Sequence, residues 1–256
     1  MKKLSILAVL LCSSSGAFAQ GLDFAQVTLG YDASRHAYFD VNGSGYSLSA
    51  RASYSLGGNF HVQADLDLYR ITLDSFTFNT TGFTIHPYMD LGNGLAVGTY
   101  YQTQRNSEGK SSFTANAYGI ELNYEDESGF GAEAYIGRTT IGDGELFESA
   151  TAWGLEASYA ISPKMTTYLR TATGAFDEVP YQMNSTAFGF DYTVDGMGSS
   201  MGPIVVGFEY RTNTLFVFDN DTVALTVTFP LGGSGNVTSR GFGKERSNLG
   251  DMLFFY

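Results

Sequence analysis

Apolar side chains recur at every second position from Phe24 to Phe229, in runs broken by polar segments. A period of two marks a strand with unlike faces, because successive side chains leave an extended backbone in opposite directions. In one run Tyr46, Leu48, Ala50, Ala52 and Tyr54 fall on one side, and Ser47, Ser49, Arg51 and Ser53 on the other. The pattern repeats through Phe60 to Leu68, Phe83 to Leu91, Leu95 to Tyr101, Tyr118 to Tyr124 and Phe130 to Ile136. It continues through Trp153 to Ile161, Met165 to Thr171, Phe188 to Val194, Ile204 to Tyr210 and Val223 to Phe229. With Val27, Leu29 and Tyr31 at the start, the sequence predicts twelve strands. No run is apolar enough at every position to cross a bilayer as a helix.

Alternation alone suits either a soluble sandwich or a lipid-facing sheet, and two further patterns favour lipid. Tight segments at Leu56 to Asn59, Gly92 to Gly94, Asp126 to Ser128 and Ser162 to Lys164 carry turn-forming residues. They alternate with longer polar segments, predicted as loops, at Asp32 to Gly45, Arg70 to Gly82, Gln104 to Ser112, Arg138 to Thr151 and Ala172 to Thr186; Asp195 to Gly202 is a long exception on the tight side. Aromatic residues of the apolar parity gather at both strand ends. Tyr54, Phe60, Tyr124, Phe130, Tyr159, Tyr192 and Phe229 sit beside the tight turns. Tyr31, Tyr46, Phe83, Tyr101, Tyr118, Trp153 and Tyr210 sit beside the longer segments. Ala50, Leu66, Ile120, Ala134 and Val206 lie between. Two aromatic belts around an aliphatic band are expected of a membrane-spanning sheet, and closure is required because lipid cannot satisfy a free sheet edge. The expected fold is an all-β, closed antiparallel transmembrane β-barrel of about twelve strands.

The N-terminus agrees with export. Lys2 and Lys3 precede an apolar run from Leu4 to Leu11 and the triplet Ala17, Phe18, Ala19, which reads as a signal peptide over 1–19 cleaved before Gln20. Cys12 follows Leu11, where a lipoprotein signal carries a small residue, so lipidation is disfavoured. The mature chain then has no cysteine for disulfides or thiolate metal sites. Loss of the two leader lysines takes the formal charge from −12 to −14, which argues against nucleic acid and for cationic partners.

These features together resemble a porin-type Gram-negative outer-membrane barrel over 20–230. The last strand, Thr222 to Phe229, ends in an aromatic and resembles the signal read by barrel-assembly machinery. Members of this group usually stop there, whereas this chain continues through a Gly-rich tail over 231–256, ending Leu253 to Tyr256. The tail can hang free, enter the lumen or replace the assembly signal. The resemblance implies an outer-membrane location, contact with outer-membrane lipids and lipopolysaccharide, passive passage of small hydrophilic solutes or cations, and no cofactor. Monomer and homo-oligomer both remain open.

The parity opposite to the lipid face should line the lumen. Candidate pore-lining residues are Arg51, Asp65, Asp67, Glu121, Glu133, Glu156, Arg170, Asp191, Glu209 and Arg211, joined by His61, Gln63, Tyr88, Asp90, Tyr100, Asn123, Tyr135 and Tyr168. Barrels of eight strands are filled by side chains and those of sixteen are open, so twelve suggest a narrow, charge-dominated and cation-preferring pore. If Tyr124 faces Phe130 across their turn, Glu121 lies opposite Glu133, with Glu156 at a similar height. Such a wall needs compensation by Arg170, a cation, water or protonation. The competing reading is a salt-bridged plug in a structural or adhesive barrel. An outer-membrane lipid hydrolase is a weaker alternative: Ser34 and His36 share a parity near one rim, without a supporting motif, and His61 and His86 are expected inside. The acidic segments containing Asp143, Glu145, Glu148, Asp177, Glu178, Asp219 and Asp221 read as solvated loops, and no metal site is expected. Arg at Gly131 or Gly137, on the lumen face, is expected to be milder than a charge at Ala134 or Ile120.

Overall fold

The structure, a computed structural model, describes residues 21–36, 41–74, 76–142, 149–177, 182–195, 202–215, 218–232 and 242. The leader with Cys12, the residues Asp143, Glu145, Glu148 and Glu178, and the tail beyond Gly232 other than Phe242 lie outside these residues. Twelve strands follow one another: β1 (Leu22–His36), β2 (Val41–Gly57), β3 (Phe60–Leu73), β4 (Phe76–Gly92), β5 (Leu95–Glu108) and β6 (Ser111–Glu125), then β7 (Phe130–Gly142), β8 (Ser149–Ser162), β9 (Met165–Phe176), β10 (Gln182–Val194), β11 (Ile204–Leu215) and β12 (Phe218–Gly232). Each pairs antiparallel with its sequence neighbours, and β12 pairs with β1 to close the barrel. Val27 meets Phe229 and Tyr31 meets Leu225 across this seam, so the ladder has no open edge.

The outer surface carries the predicted bands. Tyr46, Phe60, Tyr101, Tyr118, Trp153, Tyr159, Tyr192 and Tyr210 are exposed, as are Ile120, Leu155, Leu169 and Leu225 between them. A closed barrel presenting such large apolar side chains outward is stable only where hydrocarbon, not water, surrounds that band.

The longer segments predicted as loops are, in large part, strand. Leu73 pairs with Phe76 and Glu108 with Ser111, so two of those connections are tight turns. The strands run 12 to 17 residues, beyond the roughly 10 that cross the lipid. Past Tyr101 the outward row of β5 becomes Thr103, Arg105 and Ser107, while inward Gln102, Gln104 and Asn106 are buried. Alternation of hydrophobicity stops where lipid stops; backbone pairing does not.

The β6–β7 register also differs from expectation. Asp126 N–H donates to Phe130 O, Gly129 N–H to Asp126 O, and Gly129 takes φ 84°. This bulged turn, which glycine accommodates without strain, pairs Tyr124 with Ala132 instead of Phe130. Their rings still meet diagonally, 6.3 Å apart. Glu121 therefore faces Tyr135, and Asn123 faces Glu133.

Candidate functional site: the barrel lumen

All ten candidate residues lie on the lumen side, seven of them buried: Asp65, Glu121, Glu133, Glu156, Arg170, Glu209 and Arg211. Arg51, Asp67 and Asp191 are partly exposed to the interior space. The carboxylate pair opposed across strands is Glu133 and Glu156, not Glu121 and Glu133. Glu156 has Arg170 directly opposite on its other side. Arg170 donates through Nη2 to Glu209 Oε2, which also accepts from the Tyr168 hydroxyl at 3.0 Å. The guanidinium lies 5.8 Å from the centre of the Tyr168 ring.

Glu121 has a different partner. Both its carboxylate oxygens lie 3.1 Å from His86 Nδ1, and His86 Nε2 is 3.3 Å from Asp65 Oδ2. The contact crosses β5, where Gly98 faces Glu121. A Cβ on Gly98 would stand 3.0 Å from Glu121 Oε1 and 2.9 Å from Tyr88 Cβ, so the absence of a side chain makes room for this arrangement. Arg51 Nε reaches Asp65 Oδ2 at 3.6 Å, adding a cation to the same carboxylate. One buried network thus joins β2, β3, β4 and β6.

Towards the tight-turn end, Ser53 Oγ donates to Asp23 Oδ2 at 2.9 Å and lies 2.7 Å from the Tyr88 hydroxyl. His61 Nδ1 contacts the same Asp23 oxygen at 2.8 Å, and its ring stacks on Tyr88 at 5.0 Å and 11°. Phe242, from the tail, lies beside this group. Its N–H donates to Gln63 Oε1 at 3.0 Å, and its carbonyl accepts from Gln63 Nε2 at 2.7 Å.

The other end of the lumen is asymmetric. Tyr100, Ala115, Ala117, Tyr135, Ala150, Ala152, Phe176 and Met183 form an apolar cluster inside the barrel on β5 to β10. Tyr135 lies close over Gly154, where a Cβ would approach its ring to 2.3 Å. Tyr100 likewise covers Gly137, whose added Cβ would sit 2.1 Å from the hydroxyl, and one on Gly131 would sit 2.6 Å from Ser158 Oγ. Gly131 and Gly137, where Arg is expected to be milder than a charge at Ala134 or Ile120, thus have close neighbours on their lumen face.

Elsewhere a cavity of about 200 Å³ lies between β1 to β5 and β9 to β12. Arg51, Asp67, Arg170, Asp191, Glu209 and Arg211 line it, together with Asp32, Tyr69, Thr80, Gln102 and Gln104. Asp67 accepts from Ser49 Oγ at 2.6 Å. The sequence reading assigned Asp32, Tyr69, Thr80 and Gln104 to loops or their borders. The available signal was the continuing inward parity, obscured once the outward row turned polar. Phe242 carried no periodic signal at all.

Ser34 is buried on the inward side of β1, away from the lipid-facing rim a lipid hydrolase would use. Among the described residues, no group of three or more His, Cys, Asp or Glu could hold a metal ion.

Fold and lumen define the class: an outer-membrane β-barrel, closed, twelve-stranded and charged within. No protein-family model matches the chain, and no curated protein does. Solved structures share the fold. An outer membrane channel from Pseudomonas putida F1 superposes with a TM-score of 0.60 at 8% identity, covering 85% of this chain and 99% of its own. The NanC porin gives 0.55 at 12% identity, covering 78% and 98%. The KdgM porin, solved with disordered oligogalacturonate, gives 0.51 at 6% identity, covering 79% and 98%. The architecture is that of outer-membrane porins and channels; at these identities the likeness is one of fold.

Proposed function

We propose that this barrel is a passive outer-membrane channel for small hydrophilic solutes, preferring cations, with no catalysis and no cofactor. The observation that carries the reading is the cavity inside a closed barrel, bounded on opposing walls by charged side chains. Among the ten candidates, carboxylates outnumber guanidinium groups seven to three, and Asp32 adds another buried carboxylate. In a narrow passage such an excess lowers the barrier for ions of opposite sign. The porin and channel folds of the neighbours support the same reading, while an acidic lumen disfavours acidic sugars as cargo. The lipid band would contact outer-membrane lipids and lipopolysaccharide, and the β12 row Val223, Leu225, Val227 and Phe229 would present the assembly signal.

A second reading, a plugged structural or adhesive barrel, draws on the burial of Glu121, Glu133 and Glu156 at 2%, 5% and 4% exposure. Reconstitution into planar bilayers separates the two. Discrete conductance steps are the expected result; a silent bilayer containing correctly assembled protein contradicts the channel.

A further inference from the structure

Phe242 is 3% exposed, deep among lumen residues, although it comes from beyond the last strand. Gln63, itself fully buried, gives it one hydrogen bond and takes another, reading its backbone much as a neighbouring strand would. The ring packs against His86 at 6.3 Å and 18°, and against Tyr88 at 5.0 Å and 56°. Gln63 Nε2 is also 2.8 Å from Asp65 Oδ1, so the contact adjoins the Arg51–Asp65–His86–Glu121 network. Directional backbone pairing combined with ring packing is how a built site recognises an extended segment.

We propose that the lumen contains a docking site for the chain's own C-terminal segment, seated through Phe242, and that this occupant narrows the channel near its tight-turn end. The proposal rests on the channel reading above. Connectivity favours this occupant: Gly232 ends β12 opposite Ala25, at the same end of the barrel, so the chain need not traverse the lumen to reach Gln63. Charge favours it as well. In sequence, Arg240, Lys244 and Arg246 surround Phe242, with Glu245 the one acid among them, in a chain of net charge −12. Gly241 and Gly243 stand on either side of Phe242 in the sequence. Displacing Phe242 would return Gln63, His86 and Tyr88 to the aqueous path.

The test compares full-length wild type, Phe242→Ala and Gln63→Ala in planar bilayers, after heat-modifiable migration has shown that each is assembled. Both substitutions should raise unit conductance several-fold. Phe242→p-benzoylphenylalanine, which keeps an aromatic ring at the site and leaves Gln63 in place, should crosslink on illumination to a peptide holding Gln63, His86 or Tyr88, read by mass spectrometry. Conductance equal in wild type and Phe242→Ala overturns the narrowing while leaving the channel reading intact. Crosslinks that never reach those residues in assembled protein overturn the docking. Silence in every assembled variant overturns the channel reading and the narrowing together.

Discussion

The lipid face and the lumen face of this barrel are made from the same twelve strands, yet different physics selects their residues. On the outside each side chain meets hydrocarbon almost independently of its neighbours, so one transfer free energy per residue decides what is allowed. Inside, value depends on partners: Glu121 is accommodated by His86 and by the bare Gly98, and Glu156 stands between Glu133 and Arg170. Outward positions should therefore respond to chemistry alone, inward positions to chemistry and shape together.

The largest expected effect is on the outside. Ile120→Arg puts a charge on the exposed apolar band and should cost about 2 to 4 kcal/mol of folding free energy, read from reversible unfolding in lipid vesicles. A cost indistinguishable from that of Ile120→Val would mean that this band does not face lipid. Next comes Gly154→Ala, whose new methyl must displace the Tyr135 ring. Overpacking of this kind costs about 1 to 3 kcal/mol. Tyr135→Ala should relieve the clash, giving a double-mutant cycle with strong coupling. Additive losses would show that the two residues do not touch.

The smallest effect belongs to the β6–β7 turn, outside both faces. The Ser128 hydroxyl, followed by the Phe130 and Ser128 backbone N–H groups, holds the Asp126 carboxyl below the usual carboxylate range. A carboxyl with a depressed folded-state value contributes stability above its unfolded value of about 3.9, and that contribution disappears as pH falls through the folded value. Asp126→Asn should therefore lower stability slightly at neutral pH, flatten the acid limb of the curve, and leave stability below the folded value almost unchanged. An equal loss at both pH values would assign Asp126 a role other than charge.

How far the sequence could be read follows the same division. Outward rows such as Tyr118, Ile120 and Leu122 announced strand, parity and lipid band, because lipid contact leaves a pattern within each strand. The distal ends of β3 and β5 were read as loops because Arg70 and Arg105 ended the hydrophobic contrast while the ladder continued. Glu121 is expected opposite Glu133 and instead faces Tyr135, because the bulged turn at Gly129 moves the β6–β7 register by backbone geometry that composition around Asp126 does not disclose. Glu156 lies at the expected height, opposite Glu133. Parity placed the ten lumen residues. The His86–Glu121 contact, which skips a strand, and the Phe242–Gln63 contact, across 179 residues, depend on barrel closure and long-range packing.

The central claim, that an acidic lumen passes cations, is tested most directly by reversal potentials across a salt gradient at about 0.1 M, where charges act over about 10 Å. Wild type should prefer cations. Changing Glu121, Glu133 and Glu156 together to Gln should weaken that preference, and raising the salt should weaken it further. Anion preference in the wild type would contradict the account, showing that Arg51, Arg170 and Arg211 control passage instead.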